Sequence, residues 1–267
     1  MEIVLTIAGS DPSGGAGIQQ DLRTIESLGC YGASVITALT TQNTLGVQSV
    51  MPVPADVVKS QLEAVLSDLD VKAIKIGQIP SADVAHVIAE TLRHQLSILN
   101  SQFSIVLDPV MISTSGRRLM SEDAIGIVVS ELFPLCTLIT PNIPEMETLS
   151  GLSGFNARNY NLLIKGGHAE GSEMADRLCL ANGTERVYAT EKIESTNLHG
   201  TGCALSSAIA ASLALGYSIE DAVARGKDYV TKAIRGGKDL GIGHGNGPVW
   251  PLTRPTGTLS PRGEGGS

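Results

Sequence analysis

Residues 199–203 read His-Gly-Thr-Gly-Cys, and the segment behind them, ALSSAIAASLALG, carries almost nothing large or charged. Glycines on both sides of Thr201 let a turn aim successive backbone N–H groups at one point, with the positive end of a helix behind it. Gly200-Thr201-Gly202 therefore suits a phosphate, and Cys203 on the first helical turn would face that phosphate. A helix N-terminus also favours a thiolate, so Cys203 is expected to ionise readily. The same residues also fit a small-residue helix packed on a sheet with no ligand nearby.

Four further segments could carry chemistry. Asp108 follows Ile105-Val106-Leu107, and Asn142 and Glu145 stand three residues apart at the next strand-to-helix junction. Such oxygen ligands suit Mg²⁺, which takes one or two carboxylates plus water and substrate phosphate. Asn142 and Glu145 also spell a helix cap, and both roles can hold together. Gln42, in Thr41-Gln42-Asn43 after a β-branched run, offers an acceptor and a donor to a heterocycle edge, or simply forms a polar turn. The loop IAGSDPSGGAG places Gly9, Gly14, Gly15 and Gly17 where backbone could approach a ligand. It matches neither the Walker A spelling nor a dinucleotide fingerprint.

The histidines and the other cysteines say less. His168 follows Gly-Gly at a strand end and could line a phosphate pocket, His199 precedes the anion turn, His244 lies in a glycine-rich stretch, and His86 and His94 read as helix surface. None has metal-ligand spacing with another. Cys30, Cys136 and Cys179 are scattered, without zinc or disulfide spacing, and read as small hydrophobes.

These residues need elements to position them. Apolar runs at Val4–Ala8, Ala33–Leu39, Ala73–Ile76, Ser104–Leu107, Thr137–Thr140 and Leu162–Ile164 read as strands. Helical spacing appears at Ile18–Leu28, Ala55–Leu69, Ser81–Leu92, Ala124–Leu132, Thr201–Leu215 and Ile219–Arg235. Val47–Val53 reads as a strand or hairpin arm, and Arg177–Leu180 with Arg186–Ala189 as a hairpin around Asn182-Gly183. The repeating β-turn-α order predicts an α/β fold with a parallel sheet, right-handed crossovers and a site at the carboxyl ends of the strands. One domain is expected over residues 1–247, with 248–267, rich in Gly, Pro and Ser, as a mobile tail.

Composition narrows the partners. The 267 residues are 42% hydrophobic with a formal charge of -8, enough to bury a large core and without the basic cluster that nucleic acid or an anionic membrane would require. No window approaches eighteen uncharged apolar residues and the start has no signal-peptide pattern, so a cytoplasmic protein is expected.

In order, the segments AGSDPSGGAGIQQD, SVITALTTQNTLGVQ, LDPVM, TPNIPE, IKGGH and HGTGCALSSAIAASLALG resemble the hydroxymethylpyrimidine/phosphomethylpyrimidine kinases of thiamine biosynthesis, within the ribokinase-like superfamily. The resemblance runs from about Ile3 to Gly247 and implies a three-layer αβα fold. It implies that ATP, with Mg²⁺, phosphorylates a pyrimidine alcohol and then its monophosphate, in a homodimer. Gly200, Thr201 and Gly202 would cradle the migrating phosphoryl group. Cys203, where the wider superfamily usually has an Asp, would take the hydroxyl proton or orient the nucleophile. By the same resemblance Gly9, Asp21, Thr40, Gln42 and Val110 belong to the substrate pocket, Asp108 and Glu145 to the metal, and Asn142 and Lys165 to the nucleotide.

Two departures bear on function. The family usually has Met after Lys-x-Gly at the end of one strand, where this chain reads Lys75-Ile76-Gly77-Gln78, which keeps pyridoxal open as an alternative substrate. Only nineteen residues separate Glu145 from Lys165, close to the ~10–12 that a parallel crossover needs at minimum. Either the crossover is trimmed or residues are absent from the chain as written. A trimmed crossover leaves a non-catalytic pyrimidine-binding protein as a third reading.

Overall fold

The computed structural model describes residues 1–98, 103–113, 115–166 and 173–250. The elements run β1 (Ile3–Ser10), α1 (Gly17–Ser27), β2 (Tyr31–Asn43), β3 (Gly46–Pro52), α2 (Ala55–Asp68), β4 (Val71–Ile76), α3 (Ala82–Ile98) and β5 (Ser104–Leu107). They continue as α4 (Glu122–Ile127), β6 (Leu138–Ile139), α5 (Ile143–Ser150), β7 (Leu162–Ile164), β8 (Glu173–Cys179), β9 (Glu185–Glu191), α6 (Thr201–Ala214) and α7 (Ile219–Gly237).

Strand alternation explains the three layers. Along β1, β4 and β5, Leu5, Ile7, Ile74, Ile76, Ile105 and Leu107 point to one face, where α2, α3 and α4 cover them. Val4, Ala73 and Val106 point to the other face, against α1, α6 and α7. Side chains two residues apart share a face of a strand, so both faces are apolar and both must be covered. Among the described residues the strands form one sheet in the order β3-β2-β1-β4-β5-β6-β7-β8-β9. From β2 to β7 neighbouring strands are parallel, and antiparallel hairpins close both edges. The α/β class and mostly parallel sheet expected from the sequence are present.

The small residues of α6 have a packing role. Ala204, Ser207, Ala208 and Ala211 have no exposed surface, and α6 is held between the sheet and α7. Gly226 of α7 lies so close that a Cβ there would stand 2.8 Å from Ile209. Larger side chains on either helix would push apart the layer that carries the anion turn.

Two details differ from the sequence reading, and the short crossover it left open is seen to reach the next strand. The helix expected over 124–132 ends at Ile127, continues as a π turn over Val128–Leu132 and closes as a 3₁₀ turn at Phe133–Leu135, where Pro134 cannot donate an α-helical bond. The crossover from β6 to β7 is complete within its short span: α5, a 3₁₀ turn at Ala157–Asn159, then parallel pairing of Ile139 with Leu162. Phe155 and Tyr160 from this connection stack with ring centroids 5.8 Å apart, both edge-on to Phe133, which pins it to the core. The proposed tail begins too early. Val249 is fully buried, and Val249 and Trp250 donate backbone hydrogen bonds to His199 and Ala233, so residues 248–250 belong to the folded body. The rest of that tail, 251–267, lies outside the described residues. Among the described residues, no helix is long and apolar enough to cross a membrane.

Candidate active site

Parallel strands align their carboxyl ends, and the polar residues that end β5, β6 and β7 meet there. Asp108 follows β5, Asn142 follows β6 and Lys165 follows β7. Lys165 Nζ lies 2.5 Å from Asp108 Oδ1, which also accepts from Thr140 Oγ1 at 3.3 Å. Asp108 is 2% exposed, so its charge is held almost entirely by Lys165. Burial lowers the lysine's proton affinity, but Asp108 and Glu145 outweigh that and hold it above its usual range.

Asn142 caps α5 as the sequence suggested. Its side chain accepts from the Glu145 backbone N–H at 2.9 Å, and the Glu145 carboxylate accepts from the Asn142 N–H at 2.8 Å, a complete capping box. Glu145 Oε1 also takes the Met111 N–H at 3.4 Å. Burial pushes the Glu145 carboxyl up to about 7, with Lys165 drawing it down and Asp108 pushing it further up. Capping thus places Glu145 on the wall that Asp108 and Lys165 share.

The turn before α6 faces this group. Gly200 is its N-cap at φ 84°, where a Cβ would also stand 1.9 Å from the Gly15 carbonyl oxygen, so glycine is required there twice over. A Cβ on Gly202 would stand 3.2 Å from Asp108 Oδ2 and 3.6 Å from Lys165 Nζ, which shows how closely the backbone approaches the charged pair. Cys203 lies beside it in the cavity wall. Burial pushes its thiol up to about 11, since Lys75 draws it down while Asp21 and Asp108 oppose. The direction is opposite to the ready thiolate expected from the sequence, with loss of water the largest influence on the thiol.

Asp21 is the second correction. It lies beneath the cavity, not in its wall, with no exposed surface. Lys75 bonds both its oxygens at 2.9 and 2.8 Å, Thr6 donates at 2.6 Å and Ser207 at 2.8 Å. Lys75 is equally buried, which is tolerable only because Asp21 pairs it. The Asp21 carboxylate, with a smaller attraction from Asp108, holds Lys75 charged against that burial. The pair ties α1, β1, β4 and α6 together directly below Cys203. Lys75 was singled out only as part of a strand-end spelling; the usable signal was its alternation on β4, in register with Thr6 of β1.

The other end of the same cavity, about 530 Å³, is lined by Gly9, Thr40, Gln42, Gln78 and Val110. Gln78 approaches Gly9 so closely that a Cβ there would stand 2.1 Å from Gln78 Oε1, while Gln78 Nε2 has no partner among the described residues. His199 Nε2 reaches Asp11 at 2.8 Å and Gln42 at 3.0 Å. Every expected site residue except Asp21 lines this cavity, and sequence reasoning missed Asp11 and Lys75. His168 lies outside the described residues, while His244, His86 and His94 stand apart from the cavity.

Thr140 and Lys165 occupy Asp108 Oδ1 and leave Oδ2 for a further ligand, and Glu145 stands on the same wall. An all-oxygen pair of carboxylates suits a hard cation such as Mg²⁺. Among the described residues no three His, Cys, Asp or Glu are gathered to hold an ion by themselves. Such a cation would need phosphate oxygens to complete its shell.

Residues 11–250 match the sequence model of the phosphomethylpyrimidine kinase family. The chain belongs to that family. A hydroxymethylpyrimidine/phosphomethylpyrimidine kinase of Rhizobium meliloti is 44% identical over 92% of this chain and 96% of its own. The crystal structure of a phosphomethylpyrimidine kinase from Clostridium difficile 630 is 41% identical, with a TM-score of 0.72 over 88% of this chain and all of that one. An ADP complex of Bacillus subtilis pyridoxal kinase is 29% identical, with a TM-score of 0.81 over 94% of this chain and 97% of that one. Membership of the phosphomethylpyrimidine kinase family thus agrees with the resemblance read from the motifs, and the fold is shared with pyridoxal kinase.

Proposed function

We propose that this protein is a cytoplasmic kinase that uses ATP to phosphorylate 4-amino-5-hydroxymethyl-2-methylpyrimidine and then its monophosphate, giving the diphosphate used in thiamine biosynthesis. The observation that carries this reading is one cavity joining an end lined by Gly9, Thr40 and Gln42 to a phosphate-suited end at Gly200–Cys203 and Lys165. Family membership and relatives of that name over nearly the whole chain support it.

Phosphoryl transfer depends mainly on positioning and on neutralising charge. Gln42, Gly9, Thr40 and Val110 would hold the pyrimidine so that its hydroxymethyl oxygen points at Cys203. Gly200, Thr201 and Gly202 would receive the migrating group on backbone N–H donors and the end of α6. Lys165 and Asn142 would hold the nucleotide phosphates. Asp108 and Glu145 would hold Mg²⁺, which when bound neutralises phosphate charge. The hydroxymethyl oxygen forms the new O–P bond, the bond from the γ-phosphorus to the β,γ-bridging oxygen breaks, and ADP leaves. Because burial keeps Cys203 protonated, its sulfur would serve to orient the hydroxyl, whose proton would pass to an oxygen of the transferred phosphoryl group as the O–P bond forms. Exposed Leu39, Leu45 and Met51 on and beside the β2–β3 hairpin suit a second copy of this chain, supporting a homodimer.

The test is ADP release by the purified protein with ATP and Mg²⁺ on hydroxymethylpyrimidine, its monophosphate and pyridoxal. Turnover on both pyrimidines is expected. Pyridoxal as the best substrate, which the pyridoxal kinase likeness and Gln78 make worth including, would move the protein to vitamin B6 salvage. Binding without turnover would favour a non-catalytic binding protein.

A further inference from the structure

Gln42 is held at both ends of its amide, and the protons of its neighbours decide which end is which. Asp11 is 3% exposed and accepts four hydrogen bonds: Ser13 N and Oγ on Oδ1 at 2.8 and 2.7 Å, Ala16 N and His199 Nε2 on Oδ2 at 2.9 and 2.8 Å. Burial raises its proton affinity, but the bonds from His199 and Ser13 outweigh this and hold it below the usual carboxylate range. An ionised carboxylate has no proton to give, so His199 Nε2 must be the donor. That nitrogen then has no lone pair with which to accept from Gln42, 3.0 Å away.

The opposite end of the amide gives the same answer. Thr40 Oγ1 has one proton, and it goes to the Ser10 carbonyl oxygen at 2.9 Å. Toward Gln42, at 3.3 Å, Thr40 can therefore only accept. An amide nitrogen beside His199 would set two donors against each other there, and two acceptors against each other at Thr40. Half a turn of the amide removes both clashes: the nitrogen donates to Thr40, and the oxygen shares the single His199 Nε2 proton with Asp11 in a three-centre bond. One N–H and one oxygen lone pair then remain for the cavity, in a fixed order.

We propose that Asp11 and His199 are positioning residues that lock the sense of the Gln42 amide, so that the cavity accepts a heterocycle edge with an acceptor nitrogen beside an amino group and rejects the inverted edge. The inverted edge is a ring N–H beside a carbonyl oxygen, as in the 4-oxo counterpart of the pyrimidine. A locked amide cannot turn to meet it, and binding leaves two polar pairs mismatched. The inference rests on the pyrimidine reading above and adds the device that sets its selectivity. His199 is itself held in place: its backbone pairs with Gly247 and Val249, and its ring fills the space that a Cβ on Gly15 would need.

The experiment is calorimetric binding of 4-amino-5-hydroxymethyl-2-methylpyrimidine and its 4-oxo counterpart to wild type, His199→Phe and Thr40→Val. Wild type is expected to prefer the amino compound by roughly 100-fold, the scale of two mismatched hydrogen bonds. In His199→Phe that ratio should fall at least ~10-fold, mainly through tighter binding of the oxo compound to a freed amide. Simple loosening would weaken both compounds together and leave the ratio unchanged. Thr40→Val frees the other end and should also lower the ratio, and it carries the test should circular dichroism show His199→Phe unfolded. An unchanged ratio in folded variants, or a wild type that favours the oxo compound, would overturn the proposal. A wild type that binds neither compound would instead remove the pyrimidine reading, and this proposal with it.

Discussion

Lys165 Nζ stands 2.5 Å from Asp108 Oδ1, joining the ends of two strands that β6 separates in the sheet. Each charge is the other's main partner until a ligand supplies better ones. An anion arriving at Lys165 and a cation arriving at Asp108 would divide the pair between them. Ligand binding is therefore compensated locally.

Asp108→Asn should lower kcat by about 100-fold or more while leaving pyrimidine affinity within a few-fold, since the lost charge acts on phosphate transfer. Lys165→Met should raise the KM for ATP by roughly 10-fold and destabilise the fold by about 3–5 kcal/mol, because Asp108 is then buried alone. Steady-state kinetics and urea unfolding read both. A wild-type kcat in Asp108→Asn would remove that residue from the reacting centre.

Glu145 sets a pH dependence whose sign is opposite to that of an ordinary paired carboxylate. Its folded carboxyl titrates at about 7 because of burial, whereas an unfolded glutamate ionises near ~4.3. As pH rises through that window, the unfolded chain releases a proton that the folded protein keeps, so stability falls and then levels off above about 7. Glu145→Gln keeps a capping side chain and removes the ionisation. At pH 8 it should melt roughly 5 °C above wild type, with the difference closing toward pH 4, while turnover drops. Identical pH slopes for the two proteins would show that Glu145 does not titrate there.

Cys203 is a thiol at neutral pH, since burial pushes it up to about 11. Iodoacetamide should modify it slowly at pH 7 and progressively faster toward pH 10, with bound pyrimidine protecting it, as read by peptide mass spectrometry. Cys203→Ala should lower kcat about 100-fold with little change in KM, the pattern of a group acting on the nucleophile. Rapid alkylation at pH 7 would restore the thiolate that its helix terminus alone suggests.

The Asp21–Lys75 pair predicts non-additive stability. Lys75→Met or Asp21→Leu alone leaves a buried charge without its partner and should cost about 3–5 kcal/mol. The double variant should lose clearly less than the sum, as denaturant midpoints of the four proteins would reveal. Additive losses would mean that the two side chains do not depend on each other.

Strand ends were readable before any coordinates because polar residues after β-branched runs must meet where parallel strands terminate. Asp108 and Asn142 were read by that logic, whereas Lys165 came from the family resemblance and the glycine turn from its own spelling ahead of a helix. Asp21 was placed in the pocket by the family resemblance alone, and helical spacing could not correct it, because it does not tell that a carboxylate on the inner stripe meets a lysine from the sheet. The acidity of Cys203 was judged from its helix terminus, which is local and visible in sequence, while the desolvation that raises the thiol depends on packing against residues far away in the chain. Pro134 warned of a break after α4, but the π turn before it has no comparable spelling. Residues 248–250 looked like tail because Pro and Trp carry no periodicity, although their partners are His199 and Ala233.

That last strap has a consequence for how the protein comes into being. Gly247 accepts from the His199 backbone and Val249 donates back to it, while Asn246 donates to the carbonyl of Thr44 at 2.8 Å. The wall of the cavity beside Gln42 is thus built from residues about two hundred positions apart. A nascent chain can complete β1 through β5 early, yet the cavity that reads the ring has no fixed wall until residues 246–250 have left the ribosome. Capacity to bind the pyrimidine should appear late and abruptly in synthesis.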